Sequence, residues 1–196
     1  MFYRFARAVC RVILVLVRRW EVVGADNLPR SGGVLVVSNH VSYWDPVVVG
    51  CALTRQVHFI AKAELFRIPL LGTVITALGA FPVRRGGGDR QAIRRALELL
   101  KQGRVVGIFP EGTRSKSGEL LEPHLGAAML ALRAKVPVLP VAVINTRGVF
   151  GKVRVYIGKP LAFSREEQSG RPDYQALSRE IMREIARLME SGKVRR

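Results

Sequence analysis

Cysteine is nearly missing from the 196 residues, and Cys10 and Cys51 stand alone. They offer neither metal-ligand spacing nor a disulfide framework, which points to a reducing compartment. Histidine is equally scarce. His40, His58 and His124 form no HExxH or comparable zinc pattern. Long hydrophobic runs are missing too. The longest uncharged run near the N-terminus, Val12 to Val17, falls far short of the ~20 residues that span a bilayer. The apolar stretch Leu65 to Val83 is broken by Arg67, Pro69, Gly72 and Gly79, so it makes no clean spanning helix either. Gly86-Gly87-Gly88 lacks the GxGxxG spacing of a phosphate loop. Acidic residues are few: 15 Asp and Glu stand against 32 Lys and Arg, a formal net charge of +17. Such an excess calls for an anionic partner: nucleic acid, phospholipid headgroups or a phosphorylated substrate. Nucleic acid is disfavoured, because no RNP-type aromatic sheet, helix-turn-helix or zinc finger appears.

What is present begins with an amphipathic segment, Phe2 to Trp20. On a helical wheel Arg4, Arg7, Arg11, Arg18 and Arg19 fall on one side. Phe2, Phe5, Val9, Ile13, Leu16, Val17 and Trp20 fall opposite. Cations facing aromatics and aliphatics, with Trp at one end, fit a helix lying in a membrane interface. Residues 1–20 are therefore expected to be a membrane-associating helix, and 21–196 a single α/β domain.

Within that domain, strands and helices alternate. Short β-branched runs at Gly33–Val37, Val57–Ala61, Ala80–Val83, Arg104–Phe109 and Val153–Ile157 read as strands. Pro46–Leu53, Pro69–Leu78, Asp89–Gln102, Gly126–Lys135 and Tyr174–Met189 read as helices. Val136–Ile144 is strand-like, but Pro137 and Pro140 predict an irregular or edge strand. Ser164 to Arg171 is a polar linker. This alternation predicts an α/β fold with a largely parallel central sheet flanked by helices.

Three of the strands run into loops with chemical content: His40–Asp45, Gly79–Arg85 and Phe109–Arg114. Gly33–Val37 leads into Ser38-Asn39-His40-Val41-Ser42-Tyr43-Trp44-Asp45-Pro46. His40 then lies just past a strand's carboxyl end, where open α/β sheets bind ligands. Asp45 before Pro46 reads as a helix cap, and a loop folding back would let its carboxylate take the imidazole N–H. That contact would fix the tautomer of a general base. Arg104–Phe109 leads into Pro110-Glu111-Gly112-Thr113-Arg114-Ser115. A carboxylate, a hydroxyl and a guanidinium around a flexible glycine suit a polyol phosphate: Arg114 for the phosphate, Glu111 and Thr113 for hydroxyls.

Taken together these blocks resemble the glycerolipid acyltransferases, specifically the 1-acylglycerol-3-phosphate (lysophosphatidic acid) acyltransferases. Asn39, His40 and Asp45 match that family's Asn-His-x-x-x-x-Asp block. Phe109–Ser115 matches its Phe-Pro-Glu-Gly-Thr-Arg-Ser block intact. Gly79–Arg85 is similar to a glycine–apolar–arginine block, and Val136–Val141 to a Val-Pro-Val-x-Pro-Val strand. Lys62 and Arg67 look like the basic pair the family carries between its first two blocks. Where many members have a basic residue before Gly126, this chain has Pro123-His124-Leu125.

The resemblance implies transfer of an acyl chain from a thioester to the sn-2 hydroxyl of lysophosphatidic acid, giving phosphatidic acid. His40 would be the general base and Asp45 its orienting group. Lys62, Arg67, Arg85 and Arg114 would meet phosphate, and Glu111, Gly112 and Thr113 the rest of the acceptor. The donor would be acyl-carrier protein or coenzyme A thioester, with no metal or other cofactor. The expected setting is an anionic membrane surface on the cytoplasmic face, bound peripherally or monotopically. Ser38 and Ser42 flank His40, but their spacing gives no reason to prefer Ser-His-Asp chemistry.

Overall fold

The structure, a computed structural model, describes residues 1–84, 88–163 and 173–194, with residues 193 and 194 described by their backbone alone. Arg85, the 164–171 linker and the last two arginines lie outside the described residues.

A seven-stranded sheet runs in the order β1-β7-β6-β2-β5-β3-β4. The strands are β1 (Glu21–Val23), β2 (Val34–Ser38), β3 (Val57–Lys62), β4 (Phe81–Val83), β5 (Val105–Ile108), β6 (Val138–Ile144) and β7 (Arg154–Ile157). All neighbours are parallel except β6 and β7. The helices are α1 (Phe2–Arg18), α2 (Asp45–Ala52), α3 (Leu71–Ala77), α4 (Arg90–Lys101), α5 (Gly126–Ala134) and α6 (Tyr174–Val194).

β2 shows why the core has two halves. Its residues are all buried, and successive side chains point to opposite faces. Val34 and Val36 join Leu14 of α1 and Val48, Val49 and Ala52 of α2 on one face. Leu35 and Val37 join Leu99 and Leu100 of α4, Leu130 of α5 and Ile181 and Ile185 of α6 on the other. Each such aliphatic side chain contributes roughly 1.5–3 kcal/mol on burial. A strand wetted on neither face must be a near-continuous Val/Leu run, as this one is.

Two expectations are corrected. β6 is not an edge strand: it lies between β2 and β7 and is buried over nearly its whole length. Pro140 is tolerated because its missing N–H falls on the β7 side, opposite Gly158, one step past the last paired residue of β7. Its carbonyl still accepts from Gly158 N–H at 2.9 Å, so one ladder bond is lost rather than two. The second correction concerns Asp45. α2 begins at Asp45 itself with Trp44 as N-cap, so the carboxylate does not cap the helix. It turns back into the preceding loop instead.

The arginine stripe of α1 is also only partly free of the domain. Arg7 Nη1 donates to the carbonyls of Leu53 at 3.0 Å and Thr54 at 2.9 Å, closing the carboxyl end of α2. Arg18 is buried, and Arg11 lies over the Trp20 ring at 5.7 Å. The outward side carries Phe2, Phe5, Val9, Val12, Ile13 and Leu16, all exposed. Packing of α1 on α2 places the buried Cys51 against α1, where its thiol donates to the Arg7 carbonyl at 3.9 Å. Burial pushes the Cys51 thiol up to about 12.

Parallel pairing places the carboxyl ends of β2, β3, β4, β5 and β6 along one rim of the sheet. The loops that follow those strands are the chemically rich ones.

Candidate active site

The loop after β2 is fixed before it reaches His40. Asn39 is buried, and its side-chain amide pairs with the backbone of Val143: Nδ2 donates to the carbonyl at 3.0 Å, and Oδ1 accepts from the N–H at 2.8 Å. The side chain thus continues the β2–β6 ladder beyond Val141, where the backbone leaves it. On the other flank, the His40 carbonyl accepts from Ser115 N–H at 2.8 Å.

Asp45 then organises the loop. Its Oδ2 accepts from Val41 N–H at 2.6 Å and Ser42 N–H at 2.7 Å. His40 Nδ1 lies 2.8 Å from the same oxygen. Backbone N–H groups only donate, so Oδ2 is an acceptor and Nδ1 carries the hydrogen. Nε2 is left as the nitrogen with the lone pair, the arrangement a general base requires. Asp45 is fully buried, whereas the His40 side chain keeps 14% of its surface. The imidazole is also stacked on Phe109, with centroids 4.1 Å apart at 19°. Phe109 in turn stacks on Phe59 at 5.8 Å. Phe59 fits because residue 107 is glycine: a Cβ there would sit 2.5 Å from its ring.

Glu111 has a different place from the one its motif predicts. It is buried, and Oε1 accepts from the backbone N–H of His40 at 2.7 Å while Oε2 accepts from Leu121 N–H at 3.0 Å. Burial pushes its pKa up, while the Leu121 and His40 N–H groups pull the other way. The carboxylate is therefore spent on holding the His40 backbone rather than pointing at solvent. Gly112, at φ +65°, makes the turn that follows, with the His124 ring against it.

Thr113, Arg114, Lys62 and Arg67 follow the carboxyl ends of β5 and β3 at the rim. Thr113 and Arg114 are exposed, and the Arg114 guanidinium lies 3.5 Å above the exposed Tyr43 ring. Lys62 ends β3, two strands from β2, with Glu64 at 3.4 Å. Arg67 is exposed in the 3₁₀ turn Ala63–Arg67. Arg85 follows β4 but lies outside the described residues. Neither serine is set up as a nucleophile: Ser38 Oγ donates to the Asn39 carbonyl at 3.2 Å, and Ser42 Oγ accepts from Trp44 N–H at 3.2 Å. His58 is a structural residue, bonded to the Gly79 carbonyl at 2.9 Å and with its pKa lowered by burial.

Sequence reasoning missed two members, both just past β6. Thr146 Oγ1 donates to Asp45 Oδ1 in a short hydrogen bond. Arg147 donates to the carbonyls of Val41, at 3.2 Å, and Ser115, tying the two motif loops together. A polar pair immediately after a buried strand that ends at the His40 rim is the signal that would have found them.

A histidine oriented through a buried carboxylate at the carboxyl rim of a parallel sheet is the arrangement of an α/β enzyme with a group able to accept a proton at its strand ends. Comparison with known proteins gives that class a family. A family model described as "Acyltransferase" matches residues 19–144, and the chain belongs to that acyltransferase family. It is 34% identical over 165 residues to the 1-acyl-sn-glycerol-3-phosphate acyltransferase of Bacillus subtilis, spanning 81% of this chain and 82% of that one. It is 40% identical over 130 residues to the lyso-ornithine lipid O-acyltransferase of Pseudomonas aeruginosa, spanning 65% of this chain and 49% of that one. It spans about half the length of several other curated 1-acyl-sn-glycerol-3-phosphate acyltransferases. The crystal structure of the 1-acyl-sn-glycerophosphate acyltransferase PlsC from Thermotoga maritima superposes with a TM-score of 0.78 at 28% identity, covering 98% of this chain and 78% of that one.

Proposed function

We propose that the protein moves a fatty acyl chain from a thioester, acyl-carrier protein or coenzyme A, to the sn-2 hydroxyl of lysophosphatidic acid, giving phosphatidic acid. The observation that carries this reading is the Asp45–His40 pair, with Nδ1 on the carboxylate and the Phe109–Ser115 loop bonded to both backbone groups of His40. His40 Nε2 takes the proton of the acceptor hydroxyl as its oxygen attacks the thioester carbonyl. The C–S bond then breaks, and the proton passes from the imidazolium to the leaving thiolate. The oxyanion formed in between is held by backbone N–H groups. The thioester is already activated, so the reaction calls for no metal or other cofactor.

Lys62, Arg67, Arg85 and Arg114 are assigned to the acceptor phosphate, with Thr113 and the backbone at Gly112 toward the glycerol. Glu111 enters this scheme through His40, by holding its N–H.

No helix among the described residues is long and apolar enough to cross a membrane. The exposed apolar side of α1 supports seating on one leaflet, at the cytoplasmic face, with the enzyme bound peripherally or monotopically. A tail-anchored lysolipid then enters from the bilayer with its phosphate at the interface. Acyl-carrier protein, being acidic, also suits a +17 surface.

One observation favours a second acceptor: the lyso-ornithine lipid O-acyltransferase is 40% identical to this chain. The test is turnover by purified protein on vesicles carrying lysophosphatidic acid, lyso-ornithine lipid or neither, the last with soluble glycerol 3-phosphate. Each is run with acyl-carrier protein and coenzyme A thioesters. Formation of phosphatidic acid at the highest kcat/KM is expected. Preference for lyso-ornithine lipid would move the assignment to that acceptor.

A further inference from the structure

Thr146 sits in a loop, Asn145–Gly151, that belongs to neither motif. Its side chain is fully buried, and its hydroxyl donates to Asp45 Oδ1. The other carboxylate oxygen is occupied by His40 Nδ1 and two backbone N–H groups. Among the described residues the Thr146 hydroxyl is the hydrogen-bond donor on the Oδ1 side, and with the donors on Oδ2 it fixes the rotation of the carboxylate about its Cβ–Cγ bond. With that rotation fixed, Oδ2 is held facing the imidazole.

The loop that presents Thr146 is itself held from α1. The Arg18 guanidinium donates to the carbonyls of Asn145 at 2.6 Å, Gly148 at 2.8 Å, Gly151 at 3.2 Å and Arg147 at 3.3 Å. It is 4% exposed, and burial lowers its pKa. A planar fork can serve several converging carbonyls at once, which an ammonium on a flexible stem cannot. The chain of contacts therefore runs from α1 through Arg18 to the loop, to Thr146, to Asp45 and to His40.

We propose that Thr146 is a positioning residue for the His40–Asp45 pair and that Arg18 of α1 sets its place. This rests on the reading of His40 as the general base. The terminal helix is on this view part of the catalytic framework as well as a membrane contact. The groups that face the pair are the Glu111 carboxylate, on His40 N–H, and the Arg147 guanidinium, on the Val41 carbonyl.

Thr146→Val keeps the shape and removes the donor. Expected is a roughly tenfold fall in kcat, the scale of one hydrogen bond to a charged group, with KM for both substrates unchanged. The acidic limb of the rate profile moves to higher pH, because a carboxylate with one donor fewer favours the imidazolium opposite it. Thr146→Ser restores both. A kcat within twofold of the wild type and an unmoved limb in Thr146→Val would overturn the proposal. So would Thr146→Ser as impaired as Thr146→Val, which would make the residue a packing group. If Thr146→Val fails to fold, Thr146→Cys, a weaker donor of similar size, takes its place, and wild-type turnover there contradicts. Arg18→Lys should lower kcat on a dispersed short-chain substrate while leaving vesicle flotation intact; unchanged kcat would remove Arg18 from the scheme. His40→Ala, run alongside, separates the two claims. If it is inactive while Thr146→Val is normal, only this inference fails. If it is active, the base assignment fails with it.

Discussion

Four donors converge on the Asp45 carboxylate: two backbone N–H groups, the Thr146 hydroxyl and His40 Nδ1. Asp45→Asn sets an amide N–H against donors on whichever side it lies, so it should lower turnover at least about 10²-fold and cost about 1–3 kcal/mol of stability. Turnover and denaturant midpoint measured on the same preparation check both; an intact rate would return Asp45 to a purely structural role. Glu111 gives a pH prediction. Its folded-state pKa is raised above the usual carboxylate value by burial, so in the window between the two the native state binds more protons than the unfolded chain. Stability contributed there is present at low pH and falls as pH rises through that window. Glu111→Gln removes that contribution to the slope and leaves either His40 N–H or Leu121 N–H without its acceptor. Urea midpoints against pH should therefore diverge between the two proteins; parallel curves would contradict the raised value. His40 and Asp45 were legible because a histidine and a carboxylate at that spacing sit beside a strand end. The role of Glu111 was not, since sequence gives the residue type and not the direction in which it is buried. Thr146 and Arg147 follow a strand distant in the chain, and the β2–β6 pairing makes them neighbours of His40.

Among elements, the strands and helices were largely legible from their periodicity, and what failed were judgements of context. Pro140 argued for an edge, yet its lost N–H falls where β7 has just ended, a fact about the partner strand. The arginines of α1 argued for a headgroup stripe, yet Arg7 and Arg18 are built into the domain through backbone carbonyls. Removing α1 would for that reason strip α2 and the 145–151 loop of partners as well as any lipid contact. A cleaner test places charge on the outward face. Phe5→Glu with Leu16→Glu alters side chains that are 67% and 74% exposed, so the melting temperature should hold while flotation with anionic vesicles falls at least about tenfold. Undiminished flotation would locate the attachment elsewhere. The exposed Ile68, Leu70, Leu71 and Val74 around α3 are then the next surface to test.

At the scale of the molecule, the parallel order of the sheet does the assembling. Five strands deliver their carboxyl ends to one rim, and the two motif loops flank each other there because β2 and β5 are neighbours. Neither Ser38 nor Ser42 is poised as a nucleophile. Acyl transfer is therefore expected to pass directly from donor to acceptor in a ternary complex. Intersecting initial-rate lines are the predicted pattern, and parallel lines or an acylated serine found by mass spectrometry would contradict it. The measurement that tests the central claim most directly is phosphatidic acid formation by His40→Ala, with lysolipid binding and melting temperature followed on the same sample. The account predicts a rate lower by about 10²–10⁴-fold with binding and fold retained. A variant that kept more than about a tenth of the wild-type rate would contradict the assignment of His40 as general base.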